Sequence, residues 1–249
     1  MSEAFQEAMK EGKIKDLSRK KKLNNYDKAL TPSNELNEIH LNDWLGSGIP
    51  AEVIHEIGVK TSLSSDSWNV QIWDIKKEKL LGVRTRYNKE AIEANKYPSS
   101  EGSTPKYRPS EGLGNVFFYP HVNSLNWSEI AKDTSVRIFI TEGEKKATKL
   151  TIEGYPCIGL FGVHCWLKKN ESGESAPVDD FQDFKWRNRK VYIVFDSDKF
   201  SNKAVLEAEG NLWNHLKELG AEPFVINLPY DKDTKGVDDF FVKHGGSNE

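Results

Sequence analysis

"VYIVFDSDKFSN" spans Val191–Asn202. Five apolar residues, Val191 to Phe195, end on Asp196 and Asp198 with Ser197 between them. A short apolar run bounded by polar residues reads as a strand buried on both faces. The stretch after it, "NKAVLEAEGNLWNHLKELG" (202–220), has apolar residues at helical spacing and a glycine stop. The same grammar surrounds this pair. "VRIFI" (136–140) leads to "EKKATKLTIEG" (144–154), and "PCIGLFGV" (156–163) runs into a glycine turn. After a polar excursion at 168–183 and the 191–220 unit come "EPFVINL" (222–228) and a closing helical turn, "VDDFFVKHGG" (237–246). Alternating strands and helices predict an α/β fold, a mostly parallel sheet flanked by helices.

The grammar upstream is different. "TPSNELNEIHLNDWLGSGIPAEVIHEIGV" (31–59) reads as two short helices. Thr31 caps the first with Pro32 at its start, and Gly46 and Gly48 break it; Pro50 starts the second and Gly58 stops it. Then the period becomes two. "WNVQIWDI" (68–75), "KLLGVRTRY" (79–87) and "NVFFYP" (115–120) read as strands of a small antiparallel sheet, with 88–114 a long loop. Residues 1–30 form a charged arm with a basic run, Arg19–Lys22. The expected organisation is therefore an arm (1–30), a smaller α+β subdomain (31–133) and the α/β domain (134–246).

Composition bounds the function. The 249 residues are 37% hydrophobic and 29% charged, with net charge −3, so contact with nucleic acid would need a local basic patch. Two cysteines, Cys157 and Cys165, are too few for a structural zinc site, so no zinc is expected. No apolar run reaches the roughly 20 residues of a bilayer span, so no membrane partner is expected. The reading is a soluble cytoplasmic protein. No Walker-type lysine loop is present. His164 and Cys165 lack a third group to orient them as a catalytic pair.

In parallel sheets, sites collect at the carboxyl ends of strands. Two such ends are acidic here, with Glu142 after one run and Asp196 and Asp198 after another. Three facing carboxylates repel unless a cation sits among them, and hard oxygen ligands suit Mg2+ or Mn2+, which bind phosphates. The alternative for a lone Asp-x-Asp is a helix cap or turn. A second group of residues lies in 82–119. Arg84, Arg86, Lys89, Lys96, Lys106 and Arg108 alternate with Tyr87, Tyr97, Tyr107, Phe117 and Tyr119. Cations neutralise phosphates and exposed rings stack on unpaired bases. The alternative is a solvated sheet face. Lys145 and Lys146, beside Glu142, can hold a phosphate of a nucleotide or act as counter-charges.

This order of motifs, strand–Glu-Gly, helix, strand with glycine turn, strand–Asp-x-Asp, resembles the TOPRIM fold of bacterial and phage-type primases. "DSDKFSNKA" keeps the length of the primase pattern Asp-Gly-Asp-x-x-Gly-x-x-Ala, with Ser197 and Ser201 at its glycines. The form "EGEKKA" is similar to the TOPRIM-like domain of phage and plasmid replication proteins. The segment before it resembles a primase core, with Arg86 on the template-groove arginine and Lys106 and Tyr107 on its Lys-Tyr loop. The resemblance covers about residues 68–246.

It implies a primase of bacterial, phage or plasmid DNA replication. The activity would be Mg2+-dependent nucleotidyl transfer, with single-stranded DNA, nucleotides and a replicative helicase as partners. Glu142, Asp196 and Asp198 would be catalytic and metal-binding, joined at the metal by Asp238 and Asp239. Arg84, Arg86, Lys106, Tyr107 and Arg108 would contact nucleic acid. The departures are Lys146 and Gly236, which stand where the family has acids. They keep two alternatives open, a TOPRIM nuclease and a non-catalytic binding module.

Overall fold

The computed structural model describes residues 35–197, 202–229 and 234–245. The expected arm, Thr31, Pro32, Asp198 and Ser201 lie outside them.

The first half begins with two short helices, α1 (Glu38–Leu45) and α2 (Ala51–Glu56). Asn37 caps α1, its side chain accepting from the His40 N–H. A four-stranded antiparallel sheet follows in the order β1 (Lys60–Thr61), β2 (Ser67–Trp73), β3 (Leu80–Tyr87), β4 (Tyr107–Pro109).

Two expectations are corrected here. The stretch 88–114 is not one long loop: Asn88 caps a short helix, α3 (Lys89–Glu93), and β4 pairs with β3. "NVFFYP" is not a strand of this sheet. Phe118 instead exchanges two backbone hydrogen bonds with Gly159 in the other sheet. Gly159 permits this approach, because a Cβ there would lie 3.0 Å from the Phe118 ring and 3.1 Å from the Ala147 methyl.

The second half opens with α4 (Trp127–Lys132), capped by Asn126, and builds a parallel sheet in the order β10-β9-β5-β6. Its strands are β5 (Ile138–Glu142), β6 (Cys157–Leu160), β9 (Lys190–Val194) and β10 (Glu222–Val225). Helix α5 (Glu144–Ile152) links β5 to β6, α6 (Lys203–Glu218) links β9 to β10, and α7 (Val237–His244) follows. The polar excursion contains a small hairpin, β7 (Leu167–Lys169) with β8 (Ser175–Pro177), and a 3-10 turn at Asp179–Asp183.

Alternation along β5 and β9 explains why their sequences are almost wholly apolar. Ile138, Ile140, Val191, Ile193 and Phe195 enter one core with Leu212 and Leu216 of α6. Phe139 and Val194 enter a second core with Ala147 and Leu150 of α5 and Val237 of α7. The sheet is thus covered on both faces. The second core also takes Trp44, Ile54, Trp68, Val70 and Ile72, so the two sheets and the N-terminal helices share it. None of the described helices is long and apolar enough to cross a membrane.

One acid in this scaffold is placed at a cost. Asp180 accepts from the Phe117 N–H at 3.1 Å and the Tyr119 hydroxyl at 3.3 Å. Burial raises its pKa from 3.8 to about 6. The folded state therefore binds this proton more tightly than the unfolded chain. The group's stabilising share is full below about pH 4 and is lost as pH rises through about 6. Asp180→Asn keeps an acceptor and removes the charge. Urea melts are expected to show the variant matching wild type at pH 4 and exceeding it by about 1–2 kcal/mol at pH 7.5. Equal stability at both pH values would refute this.

Candidate nucleic-acid and metal site

β5 and β9 are direct neighbours, with Thr141 opposite Val194, so Glu142 and Asp196 leave the sheet side by side. The Thr141 hydroxyl donates to the Val194 carbonyl at 2.6 Å and ties the two strand ends together. After Glu142 the chain turns sharply into α5 through Gly143. Its φ of 92° lies in the left-handed region, where glycine carries no Cβ penalty. Beyond Asp196, the Ser197 N–H donates to the Lys235 carbonyl at 2.9 Å. That bond brings the start of α7, and with it Asp238, to the same mouth.

The result is a cleft of about 170 Å3. Glu142, Asp196 and Asp238 line one part, Lys145 and Lys146 stand at the start of α5, and Arg84, Lys106 and Tyr107 come from the antiparallel sheet. Residues that the sequence placed in two separate groups therefore face one space.

Lys146 dominates its electrostatics. The Nζ lies 2.5 Å from Asp196 Oδ1 and 2.7 Å from Oδ2. Burial would lower the lysine pKa, but Asp196, and behind it Asp238 and Glu142, outweigh burial and hold it above its ordinary value. Glu142 moves the other way from a normal carboxylate. Burial raises its pKa, Lys146 opposes this and Asp196 adds to it. Asp238 is 5% exposed, and its Oδ1 has no hydrogen-bond partner among the described residues.

A magnesium ion needs open carboxylate oxygens. Both Asp196 oxygens are taken by an ammonium, and no three described His, Cys, Asp or Glu side chains form a set that could hold a metal. The described residues in this arrangement do not fit the ion. Asp239 is occupied as well. Its Oδ2 accepts from the Gly236 N–H at 3.1 Å, capping α7.

The basic-aromatic segment divides. Arg84 is 5% exposed; it donates to Glu144 Oε1 and to the Phe161 carbonyl, both at 2.5 Å, between the Tyr107 and Phe161 rings. Arg86 donates to Asp43 Oδ2 at 2.9 Å, and Lys145 donates to the same carboxylate's Oδ1 at 3.1 Å. Burial pushes the Asp43 pKa up, but Lys145 and Arg86 outweigh it and hold the group below the usual range. Arg108 turns to the Tyr97 carbonyl at 2.7 Å, over Tyr87, away from the cleft. Tyr87, Tyr97, Phe117 and Tyr119 are buried core residues, so they are not a stacking platform for bases. Tyr107 does line the cleft. Lys106 makes no ion pair with a described residue, and its Nζ lies 5.7 Å from the Tyr107 ring centre. Burial, with Arg86, Lys146 and Lys145 nearby, pulls its pKa down.

Sequence reading missed Asp43, Glu144 and Phe161. Nothing local in the sequence marks Asp43 or Glu144, and only the tertiary packing gives them cationic partners.

A family model described as a domain of unknown function (DUF3854) matches residues 126–248. An uncharacterized protein of Picosynechococcus sp. is 33% identical over 135 residues, which make up 51% of this chain and 13% of that protein. The crystal structure of the Aquifex aeolicus primase (zinc-binding and RNA polymerase domains) aligns with a TM-score of 0.53 at 16% identity. That alignment covers 84% of this chain and 53% of the primase chain. This chain thus spans only part of either relative, and its mixed α/β fold is similar to that of a primase.

Proposed function

We propose that this chain is a primase-like TOPRIM module of DNA replication that holds single-stranded DNA in the cleft at the ends of β5 and β9. One observation carries the reading: Lys106 and Tyr107 of the antiparallel sheet face the same 170 Å3 space as Glu142 and Asp196. A cation with no ion pair among the described residues, beside a ring, suits a phosphate with its attached base. In this reading residues 31–133 supply the strand-binding wall and residues 134–246 the acidic wall. Arg86 and Lys145, fixed by Asp43, add positive potential without needing to reach the ligand. The primase-like fold is consistent with such a role.

The test is fluorescence anisotropy with a labelled single-stranded oligonucleotide across a salt series. Lys106→Glu is expected to weaken binding about tenfold. It should also lower the slope of log K against log salt by about 0.7, the share of a single neutralised phosphate. Wild type that fails to bind, or a variant that binds equally well, refutes it.

The Lys146–Asp196 pair favours one further reading within this proposal. The cleft as it stands binds nucleic acid without catalysis, and Mg2+-dependent nucleotidyl transfer would require Lys146 to leave Asp196. Primer synthesis from ribonucleotides with magnesium, compared between wild type and Asp196→Asn, separates the two. Synthesis lost in the variant supports transfer, and no synthesis by either protein supports the binding module.

A further inference from the structure

Three observations meet at one point of the cleft. The Lys146 ammonium touches both oxygens of Asp196, at 2.5 and 2.7 Å. Asp238 Oδ1, on a residue only 5% exposed, is left without a hydrogen-bond donor among the described residues. Gly236 makes room for both: a Cβ there would stand 2.5 Å from Asp238 Oδ1 and 2.8 Å from Lys146 Cε. The φ of Gly236 is −97°, which any residue adopts, so its glycine is required by space and not by backbone conformation.

We propose that Lys146 is the resident cation of this cleft, its ammonium holding the place at Asp196 that a divalent ion would need and so excluding Mg2+ or Mn2+ from the cleft as it stands. The physical argument is one of charge and space. Three carboxylates at one mouth need a positive centre, because buried charges are stable only when paired. An ammonium supplies one charge and three donors from a flexible stem. A divalent ion would compete for the same Asp196 oxygens and would be repelled by the ammonium beside them. The two cations therefore exclude one another. The missing side chain at 236 makes room for the lysine stem, which fits a place built for lysine better than a chance surface contact. This inference rests on the cleft being the functional site, but it does not require that the cleft bind DNA.

The experiment is a Mn2+ titration by calorimetry, without nucleic acid, so its failure is separate from failure of the Lys106 test. Lys146→Met keeps the stem against Gly236 and removes the charge. It is expected to bind Mn2+ at least about tenfold more tightly than wild type. Its melting temperature should rise on adding Mn2+, while that of wild type should not. Adding Asp196→Asn to Lys146→Met should abolish the gain. Wild type that binds Mn2+ as tightly as the variant overturns the proposal. If Lys146→Met does not fold, wild type against Asp196→Asn decides alone. Manganese binding by wild type that depends on Asp196 overturns the proposal, and its absence supports it.

Discussion

Arg189→Ala is expected to destabilise the protein by about 4 kcal/mol, a large part of the roughly 5–15 kcal/mol typical of a domain. The guanidinium is fully buried and faces no carboxylate within bonding distance among the described residues. It donates instead to four backbone carbonyls: Lys185 at 2.8 Å, Val136 at 2.9 Å, Ile130 at 3.0 Å and Ala131 at 2.9 Å. Ile130 and Ala131 lie in the last turn of α4, whose carbonyls have no partner within the helix. One side chain therefore caps α4, fixes the entry to β5 and anchors the start of β9. Alanine would strand the Lys185, Val136 and Ile130 carbonyls, at about 1–3 kcal/mol each before water enters, while the Ala131 carbonyl keeps the Lys185 N–H at 2.9 Å. Thermal melts should show a fall on the order of 10 °C. Arg189→Lys should recover only part, since an ammonium lacks the planar fork that reaches all four. A loss under about 1 kcal/mol would refute the account.

Arg84→Ala is expected to cost about 3–5 kcal/mol, because it leaves Glu144 buried without its partner. Side-chain exposures of 7% and 2% make this an interior pair, and the Phe161 carbonyl would lose its donor as well. The double variant Arg84→Met, Glu144→Leu removes both charges at similar volume and should restore most of the stability, since an apolar replacement of a whole buried pair is often neutral. Urea melts of the single and double variants measure this directly. The same double variant distinguishes an internal clamp from a ligand contact. If Arg84 is a clamp between the sheets, the refolded double variant binds single-stranded DNA within about twofold of wild type. A large loss of binding with stability restored would make Arg84 a nucleic-acid contact after all.

Much of this was legible in the residues. The strands β5, β6 and β9 stand out because burial demands unbroken apolar runs, β10 carries a similar run although Phe224 and Val225 are exposed at the sheet edge, and the helices between them show their spacing and glycine stops. Glu142 and Asp196 were legible because a polar residue ending such a run has to emerge at the mouth of the sheet. β4 was not legible: "KYRPSEGLG" carries no strand period, and it pairs only because β3 offers an edge. Phe118 alternates like a strand residue, yet it joined the other sheet because Gly159 leaves a gap there.

By itself the sequence determined which residues are confined to strand ends and helix starts, since period and local turn chemistry act over a few residues. It could not determine which charges meet. Arg84 with Glu144, Arg86 and Lys145 with Asp43, and Lys146 with Asp196 are separated by 43 to 102 positions. Those pairings exist only once two sheets close on a shared core and low dielectric makes each unpaired charge costly. The tertiary structure thus made Arg84 an internal clamp, left Lys106 at the open face, and set Lys146 against the aspartate that the sequence had reserved for a metal.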